Sequence, residues 1–207
     1  MKKIFYLFVI TFSTLNCKTQ NQVISLSSPE ARSSKIGAYY KDVENELLPF
    51  LGSWKFTNGN TTFQMTLVKK TFYFDTTFNI YEDLAIGEYL YIENGVVKTN
   101  TLNSLSNETI DPYDRNIVGN IIMQKDTRPA CDDCGNNEKR LNLRFDDPTR
   151  NVNGLGGEIE LRRVDENGVE KLKMILTETG NILLEDGMVP EFTSFNLPFG
   201  TYILTRP

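Results

Sequence analysis

The sequence predicts an all-β domain: an antiparallel meander of about 8–10 strands closed into a barrel. Three observations predict it. Apolar and polar residues alternate with period two in "TFQMTL", "LNLRF", "EIELRR" and "KLKMILT", as in strands that bury one face. Asn58-Gly59, Asn94-Gly95, Asn167-Gly168 and Asp186-Gly187 supply the residue pairs that tight hairpin turns need. No helical run separates the strands, which excludes parallel crossovers. A β-sandwich is the alternative. Short hairpins favour the barrel, because sandwiches use long crossing connections.

Taken in order, the chain opens "MKKIFYLFVITFSTLNCKTQ". Lys2, Lys3 and the apolar run from Ile4 to Phe12 have the layout of an export leader over 1–16, too short to span a membrane. Cys17 stands where a bacterial lipoprotein carries its acylated cysteine, after Thr14, Leu15 and Asn16. Residues 17–37 are polar and read as a lipidated tether, with a single domain over 38–207. In "AYYKDVENELLPF" Tyr40, Val43 and Leu47 fall at helical spacing, and Pro49 ends that helix. Strands then follow near 50–57, 61–68, 71–76, 86–92, 96–102, 117–124, 139–145, 157–164, 169–177, 181–185 and 200–206.

The 207 residues include 22 Lys and Arg, 27 Asp and Glu, and no His, for a formal net charge of −5. Loss of Lys2 and Lys3 with a leader makes it more negative still. That disfavours nucleic acid and anionic lipid as partners. Without histidine, Ser-His-Asp and Cys-His catalysis and His-ligated metals are closed. A carboxylate-based hydrolase needs a converging pair, and Glu88, Glu158, Glu160 and Asp146 are the candidates. Non-enzymatic function and no cofactor are the expectation. The acidic groups in "YEDL", "DPYD", "CDDCGNNE", "FDDP" and "VDEN" read as solvated turns, since none has the spacing of a calcium loop.

Cys131 and Cys134 form a C-x-x-C. A metal site would need further ligands, with Asp132, Asp133 or Asp146 as candidates, but no second Cys or His pair exists. Aspartates between the sulfurs also oppose a redox-active thiolate. A small disulfide pinning a loop suits an oxidising compartment. The segments "TFYFDTTFNIY" and "EYLYI" are apolar on both faces, with Phe72 and Phe74 against Tyr73, and Tyr89 and Tyr91 against Leu90 and Ile92. One of these faces is expected to pack on the Ala38–Phe50 segment.

"GSW" on the first long strand, with the terminal "GTYILTRP", resembles the Gly-x-Trp signature of lipocalins and related calycins. The resemblance implies that Trp54 closes one end of the barrel, that Arg206 lies across its indole, and that Gly52 permits the close approach. "PFLGSWKFTNGNTTFQMTLVKK" and "YEDLAIGEYLYIENGVVKTNTL" are similar to a domain-of-unknown-function family of small flavobacterial lipoproteins. That likeness implies the address and an exported β-domain, and adds nothing about catalysis. The functional expectation is an outer-membrane lipoprotein on the periplasmic side, attached through an acyl chain at Cys17, with the cell surface or a soluble periplasmic form as the alternatives. It would hold a small apolar or amphipathic ligand in the barrel mouth. The alternative is an interaction or structural module of the envelope with a filled barrel.

Overall fold

The structure is a computed structural model, and it describes residues 21–33, 35–150, 152–183, 189 and 191–207. The leader over 1–16 and Cys17 lie outside the described residues. Eleven strands occur among them: β1 (Val23–Ser25), β2 (Tyr39–Lys41), β3 (Gly52–Asn58), β4 (Thr61–Asp75), β5 (Ile80–Glu93), β6 (Val96–Asn100), β7 (Ile117–Met123), β8 (Arg140–Phe145), β9 (Leu155–Arg163), β10 (Lys171–Gly180) and β11 (Gly200–Thr205). β3, β4, β5, β7, β8, β9, β10 and β11 follow one another as antiparallel neighbours and close into an eight-stranded barrel. The closing seam pairs β11 with β3 at Thr205 and Lys55. β6 is a spur that pairs with β5 beside its partner β7.

The turns follow from their residues. Asn94 and Gly95, and Asn167 and Gly168, all have positive φ, as a two-residue turn between twisted strands requires. Along β4, Phe63, Met65 and Leu67 are buried; along β8, Leu141, Leu143 and Phe145 are. The interior is filled. Ring centroids step from Phe56 to Tyr202 (5.1 Å), to Phe63 (6.1 Å), to Tyr89 (5.9 Å), to Phe145 (5.0 Å) and to Phe195 (5.6 Å). This line crosses from β3 and β11 to β8, at spacings typical of packed aromatic pairs. Phe195 and Leu197, from the segment before β11, complete the core at one end.

Several expectations are corrected. No helix forms over 38–50. β2 occupies its start, and a 3-10 turn spans Leu48–Phe50 with Pro49 in its first positions. The Asp42 carboxylate accepts the amides of Glu46 (2.6 Å) and Leu47 (3.4 Å), a local bonding pattern that competes with helix. Parallel pairing does occur: β1 lies parallel to β2, and β2 to β5. The polar segment taken as a tether joins the fold from Val23 onward, because Ile24 and Leu26 are buried in the core. The segments 61–68 and 71–76 are one strand with a bulge between Lys70 and Tyr73. Residues 181–183 are not strand, and Asp186-Gly187 lies outside the described residues.

Candidate functional site

Two parts of the molecule hold the residues singled out above. The first is the closed end of the barrel. Trp54 is fully buried, and its Nε1 donates to the carbonyl of Phe50 (2.8 Å). The Arg206 guanidinium lies 3.7 Å over the indole. It donates to the carbonyl of Leu51 (2.8 Å) and pairs with Glu170 (2.8 Å). Gly52 has φ +93, and a Cβ there would sit 2.6 Å from Arg206 Nη1. Glycine is therefore required by backbone conformation, and a Cβ would also displace the Arg206 guanidinium. The sequence reading missed Arg163, which sits 5.3 Å from the same ring and donates to the carbonyl of Pro49 (2.8 Å). These contacts tie the start of β3 to the residue that follows β11.

The second part is a sheet extension outside the barrel. β4 and β5 run on past the barrel wall, and β2 and β1 add to the free edge of β5. One face of this extension holds Ile24, Tyr40 and Glu82. It packs toward β7 and borders a cavity of about 120 Å³ lined by Leu26, Tyr40, Ile80, Glu82, Asn120 and Ile122 among others. A wider cleft of about 520 Å³ shares Leu26 and Ile122 with it and runs along Ser28, Pro29 and Gln124.

Glu82 is 5% exposed. Its carboxylate accepts from the Tyr113 hydroxyl (2.7 Å) and from Asn120 Nδ2 (2.9 Å). Burial raises its pKa, the two hydrogen bonds oppose that, and Asp75 adds to it, with a net rise. No ion pair to Glu82 occurs among the described residues.

Asp83, next in sequence, points to the other face and organises it. It accepts from the Tyr39 hydroxyl (2.6 Å), the Phe72 amide (3.0 Å) and the Asp42 amide (3.1 Å), with Lys69 Nζ at 3.5 Å. Burial raises its pKa, but these donors and Lys69 outweigh it, so the group is held below the usual aspartate value. The bond to the Phe72 amide fixes the bulge, where Phe72 takes φ 53, unusual for a residue other than glycine. The expectation that "YEDL" forms a solvated turn is thus corrected, since Glu82 and Asp83 are both buried on β5. The signal was present: Glu82 and Asp83, inside the long apolar run "IYEDLAIGEYLYI", have no solvent face to occupy.

A family model for a family of unknown function, DUF6705, matches residues 1–207. The chain belongs to that family. No curated protein and no solved structure matches it.

Of the remaining candidates in this DUF6705 chain, Asp146 and Glu158 line one cleft of about 420 Å³ together with Asn142 and Arg144. Glu88 faces Arg115 (3.4 Å) and Asn116 (2.5 Å), Glu160 pairs with Arg140 (2.8 Å), Asp146 pairs with Arg144 (3.2 Å), and Glu158 accepts from Asn142 (3.4 Å). Each carboxylate has its own partner, and none of these partners is shared. Cys131 and Cys134 are joined in a disulfide. Asp133 lies beside them and pairs with Arg162 (2.8 Å), whose proximity lowers its pKa. The grouping of Cys131, Asp133 and Cys134 thus offers no thiolate to a metal. From the 38–50 segment, Tyr39 meets Phe72 edge to face at 4.9 Å and pairs with Tyr81 across β2 and β5.

Proposed function

We propose that this protein is an exported, non-catalytic lipoprotein of the cell envelope, held by an acyl chain on Cys17. Its barrel is a filled scaffold, and its contacts are made by the extension outside it. The observation that carries this reading is the unbroken line of rings from Phe56 to Phe195. A carrier barrel needs an interior of several hundred Å³, and such a volume does not fit beside these rings. The Lys2-Lys3 leader and Cys17 support export and attachment at the periplasmic side of the outer membrane, the address suggested by the likeness to flavobacterial lipoproteins. The stack of Trp54 and Arg206 supports a lipocalin-like closure without lipocalin-like carriage.

A second reading keeps a small amphipathic ligand but moves it outside the lumen. The Glu82 cavity favours it, with Leu26, Ile80 and Ile122 on its walls and a buried carboxylate that has no ion pair among the described residues.

Titration of the chain with a fluorescent fatty acid, followed by nuclear Overhauser contacts, separates these readings. The expected result is no saturable binding. Saturable binding with contacts to Phe63 or Phe145 would overturn the filled scaffold. Contacts to Ile80 and Ile122 would instead establish the second reading. Growth with a labelled fatty acid checks the anchor: the wild type takes up label and Cys17→Ser does not. Equal labelling of the two, or none in the wild type, would remove the acyl anchor.

A further inference from the structure

We propose that the bare face of the extension lies on the lipid bilayer beside the acyl anchor, so that the protein meets the membrane through a sheet face as well as a lipid chain. This rests on the reading of Cys17 as the attachment point.

Register places Val23, Tyr39, Tyr81 and Phe74 in one row across β1, β2, β5 and β4. Cross-strand partners share a face. Phe72 stacks on Tyr81 (4.4 Å), and Phe74 touches it (4.9 Å). Phe78 sits on the β4–β5 turn. The Gly37 amide bonds the carbonyl of Asn79 (2.8 Å), which brings Ile36 to that same turn. Val23 is 48% exposed, Phe72 52%, Phe74 40%, Phe78 54% and Ile36 76%. A cluster of this kind at one end of a molecule marks an interaction surface.

The way the chain enters the fold selects the bilayer as the occupant. β1 runs parallel to β2 and so to β5, and β5 runs from the turn toward the barrel. The chain preceding Val23 therefore leaves on the side of the turn, away from the barrel. Cys17 is six residues earlier. Even fully extended, that stretch reaches only about 20 Å. An acyl chain on Cys17 thus holds Val23, at the edge of this exposed row, within about 20 Å of the headgroups.

Composition fits the same occupant. Phe and Tyr suit the interfacial region, and the exposed Lys35, Lys41 and Lys70 on these segments can extend toward headgroups while their stems lie on apolar surface. Lys41 already lies over the Tyr39 ring, at 6.0 Å. The acidic whole favours zwitterionic over anionic lipid.

The test uses the chain from Cys17 onward, which contains every described residue. Its Cys17 thiol is coupled to maleimide-phosphatidylethanolamine in phosphatidylcholine vesicles with brominated acyl chains. The tether is then supplied chemically, so a failure of natural acylation leaves this test intact. Phe78→Trp reports from the turn. Val97→Trp reports from β6, which pairs with β5 at Ile92, about 40 Å along the strand from Ile80.

The introduced indole of Phe78→Trp should shift to the blue and lose roughly half its emission to bromine, as expected for a group about 5–10 Å into the interface. Val97→Trp should show neither change, and Trp54 provides a constant buried background. Equal response of the two variants, or none in either, would overturn the proposal. So would a blue shift of Phe78→Trp that appears without vesicles as protein concentration rises, because a second copy would then cover the face.

Discussion

Strands β4 and β5 serve two regions. In the barrel, Phe63, Met65 and Leu67 pair with Tyr91, Tyr89 and Gly87, and that face is fully covered by the opposite wall. In the extension, Tyr73 and Phe74 pair with Glu82 and Tyr81; on the Tyr81 side Asp83 is buried, but Phe72 and Phe74 stay exposed. The difference comes from closure. A sheet that returns on itself has one inside and no edge. A sheet that runs past the closure keeps two faces and an edge, and here the added strands β1 and β2 extend it further. The bulge between Lys70 and Tyr73 marks the border and exchanges the faces of the residues beyond it. The interior face of the barrel is thus buried, while the extension leaves Phe72, Phe74 and Phe78 exposed.

The largest effect expected from breaking this contrast lies in the barrel. Trp54→Ala should cost about 3–5 kcal/mol in a denaturant titration, as the loss of a buried ring and its cavity. Arg206→Ala should cost about 0.5–2 kcal/mol. The double variant should lose less than the two singles added. The shortfall should be small, because Arg163 remains on the same ring. Full additivity would mean that the contact of Arg206 with the indole is energetically idle.

An intermediate effect is expected at the border. Asp83→Ala leaves the Tyr39 hydroxyl and the Phe72 and Asp42 amides without their acceptor, at a cost of about 1–3 kcal/mol. Its folded pKa is lowered, so this stability is present above the unfolded value near 3.8 and is lost as pH falls through the folded value. Glu82 has the opposite sign. Its folded pKa is raised from 4.5, so ionisation weakens the fold as pH rises through the folded value. Glu82→Gln should therefore match or exceed wild-type stability at neutral pH and lose that advantage below about 4.5. Unfolding curves at neutral and acid pH check both, and the same sign for the two acids would refute the assignment of one to each face.

The smallest effect belongs to the bare face. Phe74→Ser should change stability by no more than about 0.5 kcal/mol, in contrast to any ring of the interior line. A loss as large as that of Trp54→Ala would show that the face is packed and would remove it as a contact surface.

Much of the barrel was legible in the residues. Alternation in "LNLRF" and "KLKMILT" gave the buried faces, and Asn-Gly pairs gave two hairpins whose backbone angles match. The short strands β1 and β2 were not legible. Three residues such as "VIS" carry no periodicity, and their strand state comes from pairing with β5. The spacing of Tyr40, Val43 and Leu47 suggested a helix because two of the three are buried, though by different contacts. Asp83 was missed for the same kind of reason. An acid inside an apolar run shows that it is buried but not which donors surround it.

By itself, the sequence determined the all-β class, the approximate strands, the Cys131–Cys134 pair, and the residue types that no reaction here can use, histidine above all. Those follow from local pattern and composition, which need no partner. Only the tertiary structure decided that the interior is filled, that Gly52, Trp54, Arg163 and Arg206 meet, and that one face of the extension is bare. Each of these depends on which distant strands become neighbours. Closure sets that, and period-two alternation is the same whether the buried face ends up against a cavity, a wall of rings or nothing.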